Sequence, residues 1–389
     1  MCWLMPLPDY HGGSIVNLAS SIEQALGGTN PYPALSLLDP TELDDVNNIF
    51  LVVIDGLGYN YFSRTFADHA IIGMLRGKIT SVFPSTTAAA MTTLYTGVAP
   101  QNHGIMAWFT YFKELGMIGI MPPALMRGDK SPLFRGSVNP ASVINVQSLF
   151  DRIDARGYIL LPNDIVNKSY NNVVSGSGRQ IGFDKFENLL ARGKNLIKNN
   201  PGRKLVIAYW SAVDSISHEK GVASPEAEKE ARAVLDALAG FAETSMPGLP
   251  GTKLVVTADH GLIDATPESI MALEAHPDLA ATLSLPLCGE PRAVFCYVRP
   301  SRIEAFEAYV SDALGHACDA IPVDAAIAQE YFGLGEPNAH LFDRVGDYIL
   351  VMKENYVLKD LLLGETRMPL IGHHGGTSDD EMFVPLFST

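Results

Sequence analysis

Three apolar runs limit the folds open to this chain: 49–54 (IFLVVI), 205–210 (LVIAYW) and 253–257 (KLVVT). A shorter run of the same kind lies at 158–161 (YILL). None alternates polar with apolar, so both faces of each must be covered, which is the pattern of strands inside a parallel sheet. Amphipathic stretches at 14–26, 143–156, 185–199 and 224–244 carry helical spacing. The last opens on Ser224-Pro225-Glu226: an N-cap, a proline at N1 and an acid in the first turn. Buried strands alternating with such helices predict an α/β doubly wound, mostly parallel sheet flanked by helices.

The 389 residues leave room for more than one unit, and the pattern changes after about residue 265. Segments 292–300, 319–324 and 347–356 read as strands and 302–314 as a helix, a small α+β unit. The segment 371–389 is rich in Gly, His and Asp, ends in an apolar run, and is expected to return to the main sheet. The expected organisation is a core of 1–264 plus 366–389, with 265–365 inserted as an α+β cap subdomain standing over the site.

Composition narrows the function. Asp plus Glu number 43 against 28 Lys plus Arg, a formal charge of −15. That argues against a nucleic-acid-binding surface, and an anion-handling site must then draw positive charge from a local source such as bound metal ions. No run of about 18 apolar residues is present, so no membrane span is expected. Cys2, Cys288, Cys296 and Cys318 include no CxxC pair and read as reduced thiols of a cytoplasmic protein. The first thirteen residues lack the basic start and long apolar stretch of a signal peptide.

The polar residues at the strand ends carry the chemistry. Asp55 follows the first run, Asp214 and His218 follow LVIAYW, and Asp259 and His260 follow LVVTA. His373 and His374 open the last segment. In an open α/β sheet, ligands sit outside the carboxyl ends of the strands. A single aspartate there is usually a turn or cap residue, but Asp and His at three equivalent strand ends make a ligand set suited to Zn²⁺. Ser85, Thr86 and Thr87 stand where a helix of Ala, Met and Leu begins, and each is a candidate cap. A helix N-terminus also offers free N–H groups to an anion, and a metal-activated threonine there can attack phosphorus. VVIDGLGYN does not open a dinucleotide-binding fold: Tyr61 stands in place of the third glycine and the acid precedes the glycines.

In chain order, strand-Asp55-Gly56, FPSTT…TG…P…HGI (83–105), Asp214-xxx-His218, Asp259-His260-Gly261 and His374-Gly375 resemble the alkaline phosphatase superfamily. The likeness is greatest to its type I phosphodiesterase/nucleotide pyrophosphatase branch, and it runs from about residue 51 to 385. It implies an alkaline-phosphatase-like fold and a two-zinc hydrolase of phosphodiester or nucleotide pyrophosphate bonds that works through a phospho-threonine intermediate on a small phosphorylated substrate. One zinc site would use Asp214, His218 and His374; the other Asp55, Asp259, His260 and Thr87. The nucleophile lies three residues after the proline of the FP motif, here Pro84, which selects Thr87 over Thr86. The family's histidine directly precedes a glycine, which selects His374 over His373.

The chain departs from the pattern at Ala90, where the branch has an asparagine that helps hold the phosphoryl group. Asn163 or Asn167 is the expected replacement as a substrate contact. Sulfatases need a formylglycine precursor in a CxPxR stretch, which is absent. The phosphoglycerate mutases, echoed by DDEM and VPL at 379–386, use a serine stretch that is also absent. Phosphonoacetate hydrolase, with a threonine nucleophile and two zinc ions, and phosphomonoesterases remain alternative activities for the same centre.

Overall fold

The strand Asn48–Ile54 runs between Lys204–Trp210 and Thr252–Thr257, parallel to both, and all seven of its residues are buried. In this computed structural model, which describes residues 6–43, 45–366 and 368–389, that trio forms the centre of a seven-stranded sheet. The order is Leu75–Thr80, Phe383–Ser388, Thr252–Thr257, Asn48–Ile54, Lys204–Trp210, Arg156–Pro162, Arg179–Phe183. Phe383–Ser388 alone runs against the direction of the other six strands, so the chain's last segment does return to the main sheet. Cys2 lies outside the described residues, while Cys288, Cys296 and Cys318 are free and buried. Among the described residues no helix is long and apolar enough to cross a membrane.

Helices Ile15–Ala25, Phe186–Asn199 and Pro225–Thr244 fall where the spacing predicts them. The last two pack over Phe50, whose ring meets Phe241 edge-on at 5.9 Å. A Cβ at Gly193 would lie 2.3 Å from Phe50 Cζ, so the helix can approach the sheet this closely only on a glycine. The Ser224 hydroxyl accepts the Ala227 N–H at 3.2 Å, capping Pro225–Thr244. Ser224→Ala is expected to lower unfolding free energy by about 1 kcal/mol in a denaturant titration.

The helix expected over 143–156 does not form. The chain makes one turn at Pro140–Val143 and a 3₁₀ turn at Leu149–Asp151, then enters the strand at Arg156. Ser148 accepts the Phe150 N–H with its side chain, a local bond that competes with helix continuation. The Arg152 guanidinium bonds both Glu23 carboxylate oxygens and the Thr96 carbonyl, pinning the turn to two other helices. The apolar residues that imitate helical spacing are buried one turn at a time.

A second sheet is wholly antiparallel, in the order Cys318–Pro322, Tyr348–Met352, Ala293–Cys296, Cys288–Glu290, Phe109–Phe112, Met117–Ile120, Leu125–Met126. It draws on two stretches of chain, 109–126 and 288–352. The helix expected at 302–314 is α-helical over Ile303–Tyr309 and finishes as a π turn over Val310–Leu314. Period-two alternation gives this sheet two buried faces. Val294, Cys296, Leu350 and Met352 meet Phe306, Val310 and Leu314 of that helix. Ala293, Phe295, Ile349 and Val351 join Phe83, Met106, Phe332 and Met382. Phe83 directly precedes Pro84, so this second face packs on the segment that carries the candidate nucleophile.

Candidate active site

The register sets Ile54 beside Trp210 and Val53 beside Thr257, so the chain segments following these strands emerge together at one edge of the sheet. Asp55 is the first residue beyond its strand. Gly56 then turns the chain at φ +78°, where a Cβ would fall 2.6 Å from Leu262 Cδ1 and 3.0 Å from Asp214 Cα. Asp214 occupies the first turn of the helix Ala212–Lys220, and His218 follows four residues later on the same face. Asp259 and His260 are fully buried. Gly261 after them is obligatory, because a Cβ there would lie 2.0 Å from the Asp380 carbonyl oxygen.

All three imidazoles are held in the same way. His218 Nδ1 lies 2.7 Å from the Gly372 carbonyl, His260 Nδ1 3.1 Å from the Gly261 carbonyl, and His374 Nδ1 3.2 Å from the Ser85 carbonyl. A carbonyl can only accept, so each Nδ1 carries a proton and each Nε2 is left to serve as a metal ligand. The Nε2 atoms face carboxylates. His218 Nε2 is 3.4 Å and His374 Nε2 4.0 Å from Asp214 Oδ1. His260 Nε2 is 3.4 Å from Asp55 Oδ1 and 3.5 Å from Asp259 Oδ2. The His260 and His374 rings stack at 3.9 Å.

Each buried carboxylate is anchored and open at once. Asp259 Oδ1 accepts the N–H groups of Gly56 and His260, while Oδ2 has no hydrogen-bond partner. Asp55 Oδ2 accepts the Tyr209 hydroxyl, leaving Oδ1 toward His260 and Thr87. Asp214 Oδ1 is likewise buried without a hydrogen bond. Burial, then the neighbouring Asp259 and Asp214, push the Asp55 carboxyl well above its usual range. Burial raises Asp214 too, against the pull of His218 and His260. Burial, reinforced by His260 and His218, holds His374 well below the usual histidine value.

A cation placed between these orphaned carboxylate oxygens and the imidazole Nε2 atoms would satisfy both. Ligand atoms of Asp55, Asp259 and His260 lie within 4.8 Å of one another, as do those of Asp214, His260 and His374. The donor set therefore fits metal ions of the zinc type, with His218 beside the second group. His373 belongs to neither group, and its Nε2 lies 3.3 Å from Lys359 Nζ.

The three hydroxyls at the start of the helix Thr87–Thr96 take different partners. Ser85 donates to the Gly376 carbonyl at 2.8 Å and Thr86 to Glu290 Oε1 at 2.7 Å. Thr87 Oγ1 alone faces the cluster, 3.1 Å from His260 Nε2 and 3.5 Å from Asp55 Oδ1. It is only partly buried, so a substrate can reach it. Asn163 is not brought into this group: it is exposed and donates to Asp184 Oδ1 at 2.5 Å. Asn167 is exposed as well.

Two residues escaped the sequence reading. Tyr209, the residue before the end of its strand, orients Asp55, and its only signal is a hydroxyl inside an otherwise apolar strand. Glu290 reaches the start of the helix Thr87–Thr96 from the second sheet, and nothing local in Cys288-Gly289-Glu290 announces it. Behind the site, the buried ion pair of Arg292 with Glu381 at 2.8 Å braces the segment after His374, because Glu381 also accepts the Gly376 N–H.

A mostly parallel sheet with this carboxyl-edge arrangement, flanked by helices, defines an alkaline-phosphatase-type α/β protein. Residues 49–377 match the family model of type I phosphodiesterase/nucleotide pyrophosphatase, and the chain belongs to that family of hydrolases. Murine ectonucleotide pyrophosphatase/phosphodiesterase 5 has a similar fold, with a TM-score of 0.64 at 18% identity over 87% of each chain. An inactive variant of that murine protein is similar to the same degree and carries AMP. Phosphonoacetate hydrolase from Sinorhizobium meliloti 1021, in complex with phosphonoformate, gives a TM-score of 0.60 at 18% identity over 87% of this chain and 89% of its own. No curated protein sequence matches the chain.

Proposed function

We propose that this protein is a two-zinc phosphoryl hydrolase that cleaves phosphodiester or nucleotide pyrophosphate bonds through a phospho-Thr87 intermediate. The observation that carries the reading is the Thr87 hydroxyl, which alone of three adjacent hydroxyls faces the buried cluster, 3.1 Å from His260 Nε2 and 3.5 Å from Asp55 Oδ1. Asp214, His218 and His374 would hold one ion and Asp55, Asp259, His260 and Thr87 the other. Bound there, the ions supply Lewis acidity that lowers the hydroxyl and water pKa values and neutralises the charge of the phosphoryl group.

Thr87 Oγ1 attacks phosphorus, the bond to the leaving oxygen breaks, and the leaving group departs with a proton. Water then cleaves the phospho-threonine, returning the free hydroxyl and the phosphorylated product. The first N–H groups of the helix Thr87–Thr96 lack intrahelical partners and would be available to the phosphoryl oxygens of a substrate bound at Thr87. The stretch 265–365 acts as a cap that selects among substrates, and the sparse cysteines, free at 288, 296 and 318, support a cytoplasmic location.

The test is a hydrolysis panel on zinc-loaded protein with bis-p-nitrophenyl phosphate, p-nitrophenyl phosphate and phosphonoacetate. The diester is expected to be cleaved fastest. Cleavage of phosphonoacetate alone would transfer the reading to a phosphonate hydrolase, which the second structural neighbour favours. Loss of none of the three substrates would end it.

A further inference from the structure

Glu290 is a buried carboxylate delivered by the cap sheet to the edge of the site. Its Oε1 accepts the Thr86 hydroxyl at 2.7 Å and the Trp108 N–H at 2.6 Å. Thr86 immediately precedes the nucleophile. On its other side, a Cβ at Gly375 would lie 2.5 Å from Glu290 Cβ, and Gly375 immediately follows His374. The side chain is thus wedged between the backbone neighbours of the proposed nucleophile and of a proposed ligand. Both hydrogen-bond donors are neutral, so no partner cancels its charge. It is also close enough to feel His260 and Asp214 electrostatically.

Resting on the phosphoryl-hydrolase reading above, we propose that Glu290 is a specificity-determining residue that selects monoanionic phosphodiesters and rejects dianionic phosphomonoesters. A diester brings one negative charge to the site and a monoester at alkaline pH brings two. The two substrates share two non-bridging phosphoryl oxygens, and the monoester adds a third that carries the extra charge. The fixed carboxylate therefore acts on the difference between them, one unit of charge. At an effective dielectric of about 20, a unit charge roughly 10 Å from a carboxylate is worth about tenfold in affinity. Burial pushes the Glu290 carboxyl up to about 7, so at pH 8.5 it is mainly ionised and the selection operates.

The test compares wild type, Glu290→Gln and Glu290→Asp, all zinc-loaded at pH 8.5. The glutamine keeps an acceptor oxygen for Thr86 and Trp108 and removes only the charge. Its ratio of kcat/KM for bis-p-nitrophenyl phosphate over p-nitrophenyl phosphate is expected to fall about tenfold, chiefly through a lower KM for the monoester. Glu290→Asp keeps the charge on a shorter arm, so its ratio should stay near that of wild type even where its rates fall.

A second readout does not depend on turnover. In a Thr87→Ala background, calorimetry should show that Glu290→Gln tightens phenyl phosphate about tenfold more than diphenyl phosphate. Equal changes for both ligands, or an unchanged ratio, would reduce Glu290 to a structural brace and overturn the proposal. Wild-type protein that hydrolyses neither substrate overturns the phosphoryl-hydrolase reading and this one with it. Wild type that hydrolyses both, with no ratio change in the glutamine variant, overturns this one alone.

Discussion

Thr87→Ala is expected to lower hydrolysis of bis-p-nitrophenyl phosphate by roughly three or more orders of magnitude while leaving the zinc content near that of wild type. The size follows from removing the atom that forms the covalent bond, since loss of a nucleophile cannot be made up by the residual electrostatics of its site. The metal content survives because Asp55, Asp259 and His260 keep their own anchors, Tyr209 and backbone N–H and carbonyl groups. Thr86→Ala is the control one residue away. Its hydroxyl is committed to Glu290 and points to no cluster atom, so a loss within about tenfold is expected. Steady-state rates with metal analysis on both variants decide the matter. A large loss at Thr86 with a mild one at Thr87 would move the nucleophile by one residue.

Metal removal should have an equally large effect, on stability. Asp55, Asp214 and Asp259 are buried against one another and against histidines that present lone pairs, an arrangement that disfavours the native state until cations enter. Ligand that binds only the folded chain stabilises it by about 4 kcal/mol per site at a thousandfold excess over Kd. Chelation is therefore expected to lower the melting temperature by about 10 °C. Asp259→Asn gives the sharper result. Its amide oxygen can still accept from Gly56 and His260, its NH₂ can donate to the His260 lone pair, and one buried charge is gone. The variant should melt below wild type in zinc and above wild type in chelator. Parallel curves in both conditions would show that these carboxylates do not hold the ions.

Much of this centre was legible in the sequence because its parts are short-range signals. A strand buried on both faces must be apolar throughout, so IFLVVI and LVIAYW announced themselves, and the acids just beyond them, Asp55 and Asp214, had to stand near the sheet's edge. Glu290 was not legible, because its role comes from a strand pairing that joins distant residues, and no local pattern encodes that pairing. The stretch 143–156 misled for a related reason. Val143, Val146, Leu149, Phe150 and Ile153 do repeat at helical spacing, but Ser148 takes the Phe150 N–H and Arg152 is held by Glu23. Tertiary bonds overruled the periodicity. The hairpin over 109–126 hid its destination in the same way: its alternation shows a sheet without saying which one.

The composite origin of the small sheet bears on how the protein is made. Phe109 pairs with Gly289, about 180 residues later in the chain. On the ribosome the hairpin emerges first and then waits for its neighbour, roughly ten to forty seconds at ordinary elongation rates. During that interval the outer edge of Phe109–Phe112 offers unpaired N–H and C=O groups beside aromatic side chains, a surface that recruits stray strands. Nascent chains of this protein should therefore be the ones that need a chaperone, and shortfalls in yield should trace to that edge rather than to the metal-binding core.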